Sequence, residues 1–241
     1  MTLPLFRDDA YLTTTDAVVT AINEAGGIIL DQTVFYPTGG GQPGDNGWLT
    51  TADGTEIALV TTVKGDTAGE IVHVPAEGSM LPDIGSPVEI EIDWKTRHRY
   101  MRMHSCLHLL SAVLPYPVTG GQVSDGKGRL DFDLPEATLD KQEITDELNR
   151  LIAQGHALSS DWIGEEELDA KPELVKTMSV QPPRGNGRIR LIKVGDIDLQ
   201  PCGGTHVRNT SEIGPVRVRK IEKKGRQNRR VSLIFDDETT G

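Results

Sequence analysis

Val88-Glu89-Ile90-Glu91-Ile92-Asp93-Trp94-Lys95-Thr96-Arg97-His98-Arg99-Tyr100-Met101-Arg102-Met103-His104-Ser105-Cys106-Leu107-His108-Leu109-Leu110 changes its period halfway along. Up to Ile92, apolar and acidic residues alternate, the period of a strand with one wet face. From Trp94 onward, Tyr100, Met103, Leu107, Leu110 and Leu114 recur at helical spacing, and Pro115 ends the run. A β unit therefore ends near residue 93, and a helix opens the second part of the chain. The predicted domains are 1–93 and 94–241, and the predicted class is α+β: a small glycine-rich β-barrel, then a mixed layer of antiparallel sheet and helix.

Upstream of this junction, Ala17–Ile22, Gly27–Asp31, Thr55–Val63, Ile71–Val74 and Val88–Ile92 are short β-branched runs broken by Gly, Pro and Asp-Gly. Downstream, a second helix is expected to start at Asp140 with Glu143 three places on, to bury Ile144, Leu148, Leu151 and Ile152, and to stop at Gly155. Arg188–Val194 and Ile197–Leu199 flank the turn Gly195-Asp196. Pro215–Ile221 and Arg229–Phe235 read as a closing hairpin around residues 224–228.

The 241 residues suffice for two modest domains at ~100–200 residues each. Apolar residues make up 37% and charged residues 25%, which excludes a disordered or fibrous chain. No apolar run approaches the ~20 residues of a membrane span, and Met1-Thr2-Leu3-Pro4 lacks a basic leader. Two cysteines build no disulfide framework. The expectation is a cytoplasmic protein without membrane contact.

A net charge of −11 argues against unspecific adhesion to polyanions. The charge is sorted by region, however. Arg217, Arg219, Lys220, Lys223, Lys224, Arg226, Arg229 and Arg230 face one acid, Glu222, and a second basic group is Lys95, Arg97, Arg99 and Arg102. Either a solvated charged face or phosphate contacts account for such clusters. Acids collect at Asp161, Glu165, Glu166, Glu167, Asp169 and Glu173.

Two motifs carry chemistry. His104 and His108 lie four apart on a helix, ~40° round its axis at ~100° per residue, so both rings reach one ion. Cys106 lies ~200° round from His104 on the same count and reads as apolar filler. Cys202-Gly203-Gly204-Thr205-His206 cannot sustain a helix, but its glycines allow a tight loop that brings a thiolate and an imidazole to one centre. Either pair alone is weak evidence. Together they use four of the chain's six histidines and two cysteines. Three imidazoles and a thiolate suit one tetrahedral Zn²⁺. His73, His98 and His156 have no partner at ligand spacing and receive no role. Four protein ligands close a structural site, whereas a displaced ligand opens a catalytic one; the spacing leaves both open.

Gly39, Gly41 and Gly44 form a nominal Gly-x-Gly-x-x-Gly, but Pro43 and Asp45-Asn46-Gly47 give a turn instead of a helix, so no nucleotide cofactor is expected. Three successive glycines point either to close approach of the backbone to a ligand or to the neighbouring domain, or to a purely structural turn between strands.

Asp31-x-Thr33-x-Phe35-Tyr36-Pro37-x-Gly39-Gly40-Gly41-Gln42, His104-x-x-x-His108, Pro201-Cys202-Gly203-Gly204-Thr205-His206 and Asn209-Thr210-x-Glu212-Ile213-Gly214 together resemble the editing domain of alanyl-tRNA synthetases. In particular they resemble its freestanding relatives, the AlaX-type editing proteins. The resemblance runs through nearly the whole chain in order. It implies a zinc-dependent deacylase acting in trans on the acceptor end of tRNA(Ala) mischarged with serine, and in some members glycine. His104, His108, Cys202 and His206 would be its ligands. Thr33 and Gln42 would be catalytic-pocket residues, with Gly39, Gly40 and Gly41 lining the amino-acid pocket. Arg217, Arg219, Lys223, Lys224 and Arg226 are the expected RNA contacts. Backbone N–H groups near Gly39–Gly41 or Gly203–Gly204 are expected to receive developing charge. The expected state is monomer or weak homodimer. Alternatives are a zinc-stabilised tRNA-binding module without catalysis, editing of another mischarged tRNA, or hydrolysis of a small acylated metabolite.

Overall fold

The computed structural model describes residues 1–134, 138–177 and 187–236. The chain divides into two compact units, Met1–His98 and Arg99–Gly241.

Unit 1 contains the strands β1 (Leu3–Pro4), β2 (Thr14–Ile22), β3 (Ile28–Leu30), β4 (Gln32–Thr33), β5 (Gly47–Thr51), β6 (Glu56–Lys64), β7 (Ile71–Pro75) and β8 (Pro87–Ile92). Six of them close a barrel in the order β2-β3-β7-β6-β5-β8, and closure leaves no edge unpaired. Along β8 every second residue points inward: Val88, Ile90 and Ile92 are buried, Glu89 and Glu91 exposed. They meet Val19, Ile28, Leu30, Leu49, Ile57 and Leu59 in one core. Strand β5 is absent from the sequence reading, because Asp45-Asn46-Gly47 reads as a turn. Gly47 nevertheless begins a strand that pairs with both β6 and β8. A Cβ at Gly47 would stand 2.0 Å from the carbonyl oxygen of Glu91, so only glycine lets the two strands meet there.

The glycine loop folds onto the barrel itself. Gly40 and Gly41 have φ of +55° and +81°, and residues 39 and 42 exchange backbone hydrogen bonds of 3.1 and 2.9 Å. A close approach of backbone is found at Gly44, beyond the three successive glycines, where a Cβ would lie 1.9 Å from the Thr62 carbonyl oxygen. Asp45 closes the loop by accepting from the Tyr36 amide and is paired with the fully buried Arg97. Arg97 donates Nε to Asp45 at 2.9 Å, Nη1 to Ala10 O at 2.9 Å and Nη2 to Val34 O at 2.6 Å. Its inclusion in a basic RNA-facing group is therefore corrected: this guanidinium is an internal clamp.

Helix α1 (Trp94–Val113) starts at Asp93, whose carboxylate accepts from the Thr96 amide at 3.1 Å and the Thr96 hydroxyl at 2.8 Å. The sequence implies one apolar stripe, yet every residue from Met103 to Ser111 is buried. In unit 2, β9 (Val118–Ser124), β10 (Lys127–Asp133), β14 (Val216–Lys224) and β15 (Asn228–Phe235) form an antiparallel sheet in the order β14-β15-β10-β9. A Cβ at Gly128 on β10 would lie 2.7 Å from Met103, so the helix is seated on the sheet where that strand carries no side chain. Helix α2 (Lys141–Ala153) has Asp140 as N-cap, accepting from the amides of Gln142 and Glu143, and buries Ile144, Leu148, Leu151 and Ile152. It also covers the β14 edge. The Asn149 side chain exchanges bonds with both backbone groups of Val216, and Thr145 Oγ1 accepts from Val218 N at 3.0 Å. A second antiparallel sheet is β11 (Leu158–Gly164), β12 (Arg188–Val194) and β13 (Asp198–Pro201), with α3 (Glu165–Asp169) after β11. Among the described residues no helix is long and apolar enough to cross a membrane.

Candidate metal centre

Helix α1 and the loop after β13 build the site. His104 and His108 come from successive turns of α1, and Cys202 and His206 from the loop. The ligand atoms of all four lie within 4.8 Å of one another. Cys202 Sγ is 3.5 Å from His104 Nε2 and 3.3 Å from His206 Nε2. The three imidazoles are buried, and Cys202 as a whole residue is half-buried. Cys106 is buried outside the cluster, as the helical count requires, and burial pushes its thiol pKa up to about 12.

Hydrogen bonds outside the cluster fix which nitrogen faces in. His108 Nδ1 donates to Asp198 Oδ2 at 2.9 Å, which leaves its Nε2 lone pair toward the centre. Asp198 also accepts from Gln200 Nε2 at 2.7 Å and from Lys176 Nζ at 2.5 Å. His206 Nδ1 meets Ser105 Oγ at 3.2 Å, and Ser105 Oγ accepts from Val207 N at 3.2 Å. Arg190 on β12 holds the loop. Its carbonyl accepts from Cys202 N at 3.1 Å, and its Nη1 donates to Gly204 O at 2.8 Å.

The electrostatics arise from this packing. Burial alone would raise the Cys202 pKa, but the adjacent His104 and His206 rings outweigh it and hold the thiol well below its ordinary value. Burial and His104 press His206 down to about 3. Burial also opposes charge on His108, yet Asp198 and Cys202 prevail and raise it to about 9. The cluster thus favours a thiolate, and a cation entering it competes with protons for its ligand atoms.

Sequence reasoning misses Asp198, Gln200 and Ser105. A signal exists for two of them: Asp198, Gln200 and Cys202 are spaced by two, the period that puts side chains on one face of a strand.

Of the other expected site residues, Thr33 and Gln42 belong to unit 1 and are buried. Thr33 Oγ1 is 2.7 Å from His73 Nε2 and accepts from Phe35 N at 3.0 Å, while His73 Nδ1 is 3.1 Å from Ile28 O. His73, given no role in the sequence reading, is thus the partner of Thr33. Arg217, Arg219, Lys223, Lys224 and Arg226 are exposed on β14 and its turn. Arg217 pairs with Asp236 at 2.7 Å and Lys224 with Glu222 at 3.4 Å. In the α1 basic group, Arg99 pairs with Asp125, and Arg102 donates to Ile213 O at 2.8 Å with its guanidinium 4.0 Å from the Phe235 ring centre.

Residues 189–232 match the family described as threonyl and alanyl tRNA synthetase second additional domain, and residues 10–96 match class II (A) tRNA synthetases. The alanyl-tRNA editing protein AlaX-M of Methanosarcina acetivorans is 33% identical over 98% of this chain and 100% of its own length. AlaX-M of Saccharolobus solfataricus is 35% identical over 96% and 98%. The alanine–tRNA ligase of Pyrococcus furiosus is 32% identical over 92% of this chain but only 24% of the ligase.

Proposed function

The chain belongs to the family of AlaX-M alanyl-tRNA editing proteins, and on that premise we propose that it is an aminoacyl-tRNA deacylase. It hydrolyses the ester of mischarged tRNA(Ala), chiefly Ser-tRNA(Ala), with Gly-tRNA(Ala) as a second substrate. The observation that carries the reading is the convergence of His104, His108, Cys202 and His206 on one centre.

Zinc is the metal the donor set suits. Zn–S of ~2.3 Å and Zn–N of ~2.0 Å in a tetrahedron separate sulfur from nitrogen by about 3.5 Å. The two Sγ–Nε2 distances are 3.5 and 3.3 Å. When bound, zinc supplies a positive centre that orients the substrate and strengthens an electrophile or a water. The remaining work belongs to the chain. Asp198 holds His108 in the tautomer that presents Nε2. Ester hydrolysis proceeds by addition of water to the carbonyl carbon, then cleavage of the bond to the ribose oxygen, which takes up a proton. Of the two segments expected to receive developing charge, Gly203–Gly204 lies in the loop that carries Cys202, whereas the Gly39 amide already donates to the Gln42 carbonyl.

Thr33 supports serine selection. Its proton goes to His73 Nε2 and one lone pair to Phe35 N–H, which leaves one lone pair as acceptor. A serine hydroxyl satisfies it and an alanine methyl does not, the arrangement in which a buried polar group discriminates strongly. Thr33→Val should erode the preference for serine over alanine, and an unchanged ratio removes Thr33 from the account. Exposed Arg219, Lys223 and Arg226, without an ion pair among the described residues, support phosphate contact at the acceptor end.

The test is loss of amino acid from Ser-tRNA(Ala), Gly-tRNA(Ala), Ala-tRNA(Ala) and Ser-tRNA(Ser), with and without chelator, for the protein and its Cys202→Ala variant. Chelator-sensitive loss from the first two alone is expected. The four-donor set favours a second reading, a closed structural zinc in an RNA-binding module. Binding of tRNA with the ester left intact would select it.

A further inference from the structure

A glycine is ordinarily required by its own backbone or by its neighbours. Gly155 and Gly214 have φ of +68° and +71°, where other residues are strained. Gly44, Gly47 and Gly128 have no room for a Cβ. Gly203 has neither reason: its φ is outside the left-handed region, and a Cβ built on it meets no atom within 4 Å. Gly164 is open too, but it is the N-cap of α3, a position that suits glycine. Gly203 instead adjoins Cys202 and is itself partly exposed.

The loop around it is tied on both sides. Cys202 N donates to Arg190 O, Gly204 N points at Cys202 Sγ at 3.5 Å, and Arg190 Nη1 holds the Gly204 carbonyl. Between these anchors the Gly203 amide donates to nothing among the described residues. A bare volume and an uncommitted N–H therefore stand together on a partly exposed residue, one position from the thiolate.

We propose that Gly203 is a substrate-positioning residue whose missing side chain leaves room for the substrate's aminoacyl ester and whose amide donates to the ester carbonyl oxygen. The proposal rests on the deacylase reading. As water adds to the carbonyl carbon, that oxygen gains negative charge and its bond to the Gly203 N–H strengthens. As the carbon–oxygen bond to ribose breaks, the charge leaves it and the ribose oxygen takes the proton given up by the water.

Gly203→Ala and Gly203→Val test this, with Gly164→Ala as control. Measured for each are zinc content, thermal midpoint, kcat and KM for Ser-tRNA(Ala), and Kd for a seryl-adenosine analogue with an amide in place of the ester. Both Gly203 variants should keep full zinc and a midpoint within ~4 °C. Their kcat/KM should fall about tenfold or more for Ala and further for Val, with analogue binding weakened in parallel. Gly164→Ala should change nothing. Activity and Kd unchanged in both Gly203 variants would overturn the proposal. So would loss of zinc or of the fold, which would make Gly203 a structural glycine. If the native protein binds the analogue and the Ala variant does not, but neither deacylates, the deacylase reading fails while Gly203 stands as a binding position. Absence of both binding and hydrolysis in the native protein overturns both.

Discussion

Replacing His73 with glutamine separates one buried imidazole from every other acid-sensitive group in the chain. His73 is fully buried in the barrel, and desolvation lowers its pKa from 6.5 to about 4, against a smaller opposing effect of the Ile28 carbonyl. In the unfolded chain it takes up a proton below 6.5; in the folded chain it does not until about 4. The stability of the neutral, buried ring is thus fully present above pH 6.5 and is lost as the pH falls toward 4, below which the loss levels off. With 1.36 kcal/mol for each pH unit between the two values, the loss reaches about 1 kcal/mol at pH 5.5 and about 3 kcal/mol at pH 4. The assay is urea unfolding of the native protein and His73→Gln at several pH values in chelator, so that metal release is common to both. The glutamine variant starts less stable at pH 7.5, because the bonds to Thr33 and Ile28 are disturbed, and the two curves should converge on acidification. Curves that stay parallel from pH 7.5 to 4 would refute the reasoning.

Asp198→Asn removes the charge behind His108, and zinc affinity measured by competition with a chromophoric chelator should fall about 10–100-fold; affinity within twofold of native would exclude that role. Arg97→Met leaves the Asp45 carboxylate buried and unpaired at a cost of about 3–5 kcal/mol, part of which the double variant with Asp45→Asn should recover. Denaturant midpoints of the three proteins check this, and a single-variant loss under ~1 kcal/mol would contradict it. If Arg219, Lys223 and Arg226 touch phosphates, the triple alanine variant should flatten the slope of log K against log salt for tRNA binding by about 2 to 3; an unchanged slope would assign that surface to solvent.

Local signals carried much of the architecture. Asp140, Glu143 and the Ile144–Leu148–Leu151–Ile152 face are contained in one segment, and α2 matches them residue for residue. The convergence of the two His/Cys pairs was legible because helical spacing and a glycine loop are each local. What escaped depends on distant partners. Strand β5 hides behind Asp45-Asn46-Gly47, and its strand character exists only because β6 and β8 flank it. Strands β9 and β10 contain Gly120, Gly121 and Gly128, which dilute the alternation a strand is known by. Arg97 looks like its basic neighbours, and only distant partners, among them Asp45 52 positions away, make it internal. Asp198 resembles any turn-adjacent acid until β13 carries it beside His108.

The covered rim of the four-stranded sheet has a consequence for how copies of this chain avoid each other. With the amides of Val216 and Val218 and the Val216 carbonyl taken by Asn149 and Thr145, the first three residues of β14 offer no ladder on which a foreign strand can template itself. Two polar side chains on a neighbouring helix therefore shield that stretch of the sheet edge. Substituting them with leucine would be felt first as aggregation.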